Sequence, residues 1–300
     1  MPSRDPMPSR REFLTTVAAG VGASALATRW TWAAGAPTIK SPLNGPIGLQ
    51  LWSLREYLPT DLAGTLGKVR AMGFEVVESA GLWKHTLPEF RAALDTAGLK
   101  VTSAHIGYER LRDDLQGGLA EAKGLGASSV ICAWIPHKET FTREEALKAA
   151  EMFNGVGKAA RDAGLRFGYH THGYENVPST EGTLFDTLAK AVDPALVFFQ
   201  VDVFHTTHGG GDPVALMTKY SGRIRSLHLK DISKTYPVEP GHGTAPAEAD
   251  VPVGTGQIDW PKVLRAAMKA GAVEYFIEDE SKDPLGHIPL SVAYLQGLKL

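Results

Sequence analysis

Short apolar runs along the chain end in residues that can bind a metal or move a proton. These are Glu78, His105, His170 with His172, Asp202 with His205, His228 with Lys230, and Glu278 with Glu280. Alternation along a strand sets His170 and His172 on one side, and the turn after Asp202 lets that carboxylate share a site with His205. Imidazole and carboxylate donors together suit one divalent ion (Mn, Co, Zn, Fe or Mg). No sulfur cluster is on offer, because Cys132 is the sole cysteine. An ion held this way grips a carbonyl and its neighbouring hydroxyl and stabilises the enediolate formed when the intervening C–H proton leaves. His172, Glu78 and Glu278 are the candidate bases, His105 and His205 can orient hydroxyls, and Lys230 can hold an oxyanion as a point charge.

Each residue also has a plainer reading. His105 can cap a strand, Glu78 can be an ion-pair partner at a barrel mouth, and Glu175 and Glu280 can be solvated rim or support for ligands. Burying several such groups together with no cation would be costly, which favours a metal site among them. Trp260 reads as core, whereas Trp52 and Trp134 read as flat walls against a substrate ring. His208, His242 and His287 read as solvated loop residues.

Apolar runs alternating with amphipathic stretches must position these groups. The runs predict strands over 47–52, 74–79, 99–105, 128–133, 165–170, 196–202, 223–230 and 273–278. Helices are predicted over 61–72, 87–97, 113–125, 143–163, 182–191, 213–220, 260–270 and 290–298, several stopped by Gly. Eight such units in about 250 residues fit a single-domain α/β fold, the closed (β/α)8 TIM barrel, over residues 46–300. A doubly wound open sheet would want a Gly-rich phosphate loop after its first strand, and Leu51-Trp52-Ser53-Leu54-Arg55 is none. The Pro/Gly-rich stretch 236–256 follows a strand and is therefore expected as a long loop on the active face.

The chain has 300 residues, 43% hydrophobic and 21% charged, with 31 basic against 33 acidic side chains. That near balance excludes a polybasic nucleic-acid binder and an acidic disordered chain. Ser9-Arg10-Arg11-Glu12-Phe13-Leu14 precedes an uncharged Ala/Gly/Val-rich run over 15–28, too short to span a bilayer. This predicts a twin-arginine export signal over 1–36, a linker over 37–45, and a periplasmic location with no membrane attachment after cleavage. Four arginines and two acids fall in 1–36, so the remainder holds 27 basic and 31 acidic residues and is mildly acidic.

Several stretches then carry a resemblance. They are Ile47-Gly48-Leu49-Gln50-Leu51-Trp52-Ser53-Leu54-Arg55, Val76-Val77-Glu78-Ser79-Ala80-Gly81, Ser103-Ala104-His105 and Phe167-Gly168-Tyr169-His170-Thr171-His172-Gly173-Tyr174-Glu175. Asp202, His228-Leu229-Lys230-Asp231, Val253-Gly254-Thr255-Gly256-Gln257-Ile258-Asp259-Trp260 and Phe276-Ile277-Glu278-Asp279-Glu280 complete the set. In order and placement they resemble the sugar phosphate isomerase/epimerase family of xylose-isomerase-like barrels, in its branch with a Tyr-His-Asn-His motif. The resemblance implies one divalent metal, with His170, Asp202, His228 and Glu278 at the ligand positions. It departs at His170, where many relatives have Glu for a two-glutamate epimerase mechanism, which leaves His170 and His172 as alternative ligands, and at Thr171, where the branch has Asn. His205 stands where the branch often has Trp and other relatives place a substrate-contacting His.

The expected activity is a metal-dependent sugar isomerase or epimerase acting through an enediolate. The substrate is an unphosphorylated sugar or glycoside, 3-keto forms included, because no phosphate cradle is present and phosphorylated sugars are mainly cytoplasmic. Lyase or hydratase action on a 3-keto-glycoside by β-elimination is the alternative, and a non-catalytic periplasmic sugar-binding barrel is the reading from another class. An abasic-site endonuclease would want a metal cluster and a basic face. A small-molecule sugar is thus the expected partner, with no nucleic acid, and barrels of this kind often form homodimers.

Overall fold

The computed structural model describes residues 37–300; the expected export signal over 1–36 lies outside them. Eight parallel strands close into a barrel in sequence order: β1 (Ile47–Gln50), β2 (Val76–Ser79), β3 (Lys100–His105), β4 (Ser129–Cys132), β5 (Arg166–His170), β6 (Val197–Asp202), β7 (Ile224–Leu229) and β8 (Glu274–Ile277). β8 pairs with β1 through Ile47–Tyr275 and Leu49–Ile277, which shuts the ring. The (β/α)8 barrel expected from the sequence is the fold observed.

Strand alternation sorts the side chains into two populations. Leu49, Val77, Val130, Tyr169, Val201, Leu227 and Ile277 join the apolar layer with the helix residues Leu66, Phe90, Leu119, Phe153, Leu188 and Leu264. The alternating positions fill the barrel itself, from aromatic to polar. Phe198 precedes Gln200 and Asp202 on β6, Ser226 precedes His228 on β7, and Phe276 precedes Glu278 at the end of β8. A β-carbon at Gly168 would overlap the Phe198 ring, so glycine is what lets that aromatic plug sit there.

The helices are α1 (Leu62–Ala71), α2 (Leu87–Ala97), α3 (Tyr108–Asp113), α4 (Leu115–Leu125), α5 (Arg143–Asp162), α6 (Leu184–Ala191), α7 (Val203–His208), α8 (Pro213–Lys219), α9 (Trp260–Ala270) and α10 (Pro284–Gly297). Capping decides many of their starts. Thr86, Thr142 and Thr183 each form a reciprocal capping box, and Asp61, Asp259 and Asp283 cap through their side chains. Among the described residues no helix is long and apolar enough to cross a membrane.

Four elements differ from the sequence expectation, each for a local reason. The first strand stops at Gln50, whose side chain accepts from Trp52 N–H and starts a 3-10 turn. The helix expected over 113–125 is α4, whose start Asp114 caps through Gly117 N–H, but the short α3 just ahead of it was not expected. The last helix starts at Pro284 rather than 290, because Asp283 caps it through Gly286 N–H, and it continues through Pro289. Finally, α7 was not expected: six residues are too short to show periodicity, and its N-cap is the site residue Asp202.

The segment 37–45, expected as a linker, lies against the N-terminal ends of the strands. Ile39 N–H bonds to Gly73 O, and Tyr275 Oη donates to Asn44 Oδ1.

Candidate active site

The C-terminal ends of the strands surround a cavity of about 450 Å³. Trp52, His105, Trp134, His170, His172, His205, Glu278 and Glu280 line it, together with small residues of the loops, Gly243 to Ala245 among them. The long loop after β7 thus reaches the active face. Asp231 holds the base of that loop: its carboxylate accepts from Gly254 N–H, Gly256 N–H and Trp260 Nε1–H. Glu78, Asp202, His228 and Lys230 do not line the cavity; they are buried directly beneath or beside it.

The donor atoms at the floor form two overlapping groups, Asp202–His228–Glu278 and His105–His170–His228, with the atoms of each group within 4.8 Å of one another. His228 Nδ1 lies 2.9 Å from Glu278 Oε2 and 3.7 Å from Asp202 Oδ2, while His170 Nε2 is 3.9 Å from the same Asp202 oxygen. Asp202 Oδ1 accepts the His205 N–H at 2.7 Å as the cap of α7, and the Asp202 N–H donates to Thr171 Oγ1. Asp202 Oδ2 is buried with no hydrogen-bond partner among the described residues. A buried carboxylate oxygen left without a donor is expensive. An ion among these groups would satisfy it, so the donor set fits a divalent cation. His172 belongs to neither group, so His170 is the histidine of that pair placed with the other donors.

Charges at the floor are tuned by burial against neighbours. Burial opposes a charge on His228, but Glu278 and Glu78 win and raise it to about 10. A cation on this ring neutralises the surrounding carboxylates, which is the electrostatic work a bound divalent ion would do. Burial also opposes ionisation of Glu78, yet His105 and His228 hold it below the usual carboxylate range. Burial, with like-charged imidazoles beside them, pushes His170 and His172 well below the usual histidine value, so both are neutral near pH 7.

One flank is an ionic cluster. Lys230 Nζ lies 2.6 Å from Glu280 Oε1, 3.6 Å from Asp250 Oδ2 and 3.3 Å from His205 Nε2. Burial would depress the Lys230 amine, but Glu280 and Asp250 hold it above its ordinary value, so it is a fixed cation and no base. Other parts of the wall are aromatic. Trp134 packs edge-on against His172 with ring centroids 5.0 Å apart, and Trp52 leans on Trp83 at 5.5 Å with 41% of its surface exposed. His172 stacks on His205 at 4.8 Å. Gly173, with φ of +84°, allows that approach, since a β-carbon there would overlap the His205 carbonyl oxygen.

Glu175 supports His172, accepting hydrogen bonds from the His172 N–H and the Tyr169 hydroxyl at Oε1, while Oε2 has no partner among the described residues. Burial raises its carboxyl from 4.5 to about 6. A carboxylate with a raised folded-state value costs nothing below its unfolded value and its full penalty above the folded one. Between pH 4.5 and 7.5, Glu175→Gln should therefore gain about 2 kcal/mol of stability relative to the wild type. Paired urea denaturations across that range measure it, and a pH-independent difference would refute the assignment.

Sequence reasoning missed Gln200 and Ser226, which lie one layer below the donors. Gln200 Nε2 donates to Glu78 and to Ser226 Oγ, and Gln200 Oε1 faces His105 Nε2 and His170 Nδ1. Both stand two residues before a donor on the same strand, so the period of two carried the signal.

Residues 66–296 match the family described as xylose isomerase-like TIM barrel. The chain belongs to that family. Among family relatives, the inosose dehydratase of Clostridium tetani is 30% identical over 169 residues, 52% of this chain and 54% of that one. The inosose dehydratase of Clostridium botulinum is 29% identical over 255 residues, 76% of this chain and 85% of its own length. The chain spans 54% to 61% of the length of the first three curated relatives it matches. A solved sugar phosphate isomerase/epimerase from Parabacteroides distasonis superposes with a TM-score of 0.69 at 25% identity, covering 84% of this chain and 98% of its own. The IOLI protein, solved with a zinc atom, shares the fold at a TM-score of 0.64 and 16% identity, over 83% of this chain and 95% of its own.

Proposed function

We propose that this family member is a divalent-metal-dependent lyase acting on an unphosphorylated keto sugar, keto cyclitol or keto-glycoside. It removes the proton beside the carbonyl and expels the oxygen substituent one carbon further on. The observation that carries this reading is the division of the cavity. Its floor is imidazole and carboxylate with an unsatisfied Asp202 oxygen, its walls include Trp52 and Trp134, and among the described residues no Lys or Arg lines it. A phosphoryl group would want such a cation. The relatives named inosose dehydratase agree in reaction class.

His170, Asp202, His228 and Glu278 would hold a divalent ion, which would supply Lewis acidity at a carbonyl oxygen. His172 is neutral, lines the cavity and takes the proton from the carbon beside the carbonyl. The C–H electron pair becomes the new C=C bond, and the C–O bond one carbon on breaks. His172 returns its proton to the departing oxygen, which leaves as water or an alcohol, and the imidazole is neutral again. Lys230 holds its cation beside His205, whose ring can orient a substrate hydroxyl, and Trp52 and Trp134 exclude water from the ring faces.

Elimination is preferred to epimerisation because position 170 carries an imidazole tied through Nδ1 to Gln200, where a two-base epimerase wants a carboxylate. Glu278 lines the cavity as a second proton acceptor and keeps isomerisation or epimerisation as the second reading. Incubation of the metal-loaded protein with an inosose and with a 3-keto-glucoside in deuterated water tests both. Release of water or aglycone with an ultraviolet-absorbing enone is expected. Deuterium exchange without release would move the assignment to isomerase or epimerase, and neither event would overturn both.

We propose also that residues 1–36 direct twin-arginine export, on the strength of Arg10-Arg11 ahead of the uncharged run. Lysine at both positions should strand the protein in the cytoplasmic fraction; unchanged periplasmic recovery would contradict this.

A further inference from the structure

A buried layer beneath the floor does not touch the cavity, yet it governs which nitrogens reach it. Glu78 and Gln200 are both fully buried. Gln200 Nε2 lies 2.7 and 2.9 Å from the two Glu78 oxygens and 3.0 Å from Ser226 Oγ. Turning the amide over would set its oxygen against a carboxylate, so the orientation is fixed by the network itself. Gln200 Oε1 can only accept, and it sits 2.8 Å from His170 Nδ1 and 2.9 Å from His105 Nε2. His105 Nε2 also faces Glu78 Oε2 at 3.0 Å. His228 Nε2 lies 3.3 Å from both Glu78 oxygens. Three imidazole nitrogens thus face acceptors alone and must each carry a proton.

We propose that Glu78 and Gln200 are positioning residues that set the protonated nitrogen of His105, His170 and His228. They thereby present His228 Nδ1 and His170 Nε2, opposite ring positions, as the donors to the ion. The inference rests on the metal reading above and adds which atom of each ring binds and what enforces it. An acceptor behind a ligating histidine fixes its tautomer and raises its basicity, and losing such a partner lowers metal affinity 10–100-fold. The two residues act together: Gln200 alone could turn over, and Glu78 is what forbids it.

Glu78→Gln separates this role from space-filling, because the amide has the same shape. Its oxygen can still accept from Gln200, but its NH2 then faces ring nitrogens that already carry hydrogen. His228 or His105 must change tautomer or lose its bond. The test uses the full chain, labelled with ¹⁵N-histidine and loaded with ¹¹³Cd. In the wild type, cadmium should couple to one Nδ1, assigned to His228, and to one Nε2, assigned to His170, with the other nitrogen of each ring protonated. Glu78→Gln should bind cadmium 10–100-fold more weakly, with the His228 coupling lost or moved while the His170 coupling persists.

Coupling of wild-type cadmium to His228 Nε2 or His170 Nδ1 overturns the proposal while leaving the metal reading intact. An unchanged variant overturns it likewise. Failure of the wild type to bind cadmium, zinc or manganese overturns the metal reading and this inference with it. Should the variant not fold, the wild-type couplings alone decide.

Discussion

Asp202→Asn should abolish tight divalent metal binding and, with it, turnover, while leaving the fold in place. Asparagine keeps the volume and an oxygen at the position of Oδ1, which accepts the His205 N–H at 2.7 Å and caps α7. What it removes is the negative, unpartnered Oδ2, 3.7 Å from His228 Nδ1 and 3.9 Å from His170 Nε2. An NH2 there would point hydrogens at the cation. Loss of an outer partner already costs 10–100-fold in affinity, so loss of a direct donor should cost about 100-fold or more. Burial raises the Asp202 carboxyl above its usual range, which marks a charge the metal-free fold does not fully compensate. Thermal unfolding in chelator should therefore show the variant at least as stable as the wild type. Titration calorimetry with manganese or zinc measures the affinity, and an unchanged dissociation constant would remove Asp202 from the ligand set.

Lys230→Met should have the largest effect on stability. Lys230 is 2% exposed, and its ammonium sits between Glu280 and Asp250, with Phe204 packed against it at 4.8 Å. Methionine fills most of the volume but leaves two carboxylates facing each other without their cation. Breaking a buried ion pair by removing one partner costs 3–5 kcal/mol. Glu280 is 30% exposed and Asp250 can take up a proton, so a loss of about 3 kcal/mol is expected. Adding Asp250→Asn should recover part of that loss, because it removes one of the stranded charges. Urea denaturation of both variants measures this, and a loss under about 1 kcal/mol would show that Lys230 is not the cation holding this flank together.

The barrel was legible because its strands are apolar runs at regular spacing and its helices carry explicit caps and glycine stops. Residues at strand ends were legible for the same reason, as the ends of the runs locate the active face. Local geometry that competes with periodicity was not. Gln50 ends β1 early by capping its own turn, and α3 and α7, six residues each, are too short to show a repeat. Within the site, ligand and base candidates could be named but not ranked by depth. Glu78 and Glu278 look alike in the sequence, yet one is sealed beneath the floor and the other lines the cavity. That difference depends on Gln200 and Ser226, neutral residues from two further strands that no list of ionisable groups contains.

The proposed binding of one divalent ion among Asp202, His228, Glu278 and His170 has a direct test, anomalous diffraction from crystals grown with manganese. A single peak bounded by those four side chains, absent from Asp202→Asn crystals, is the predicted result. A peak elsewhere in the cavity, or none at millimolar manganese, would contradict the account.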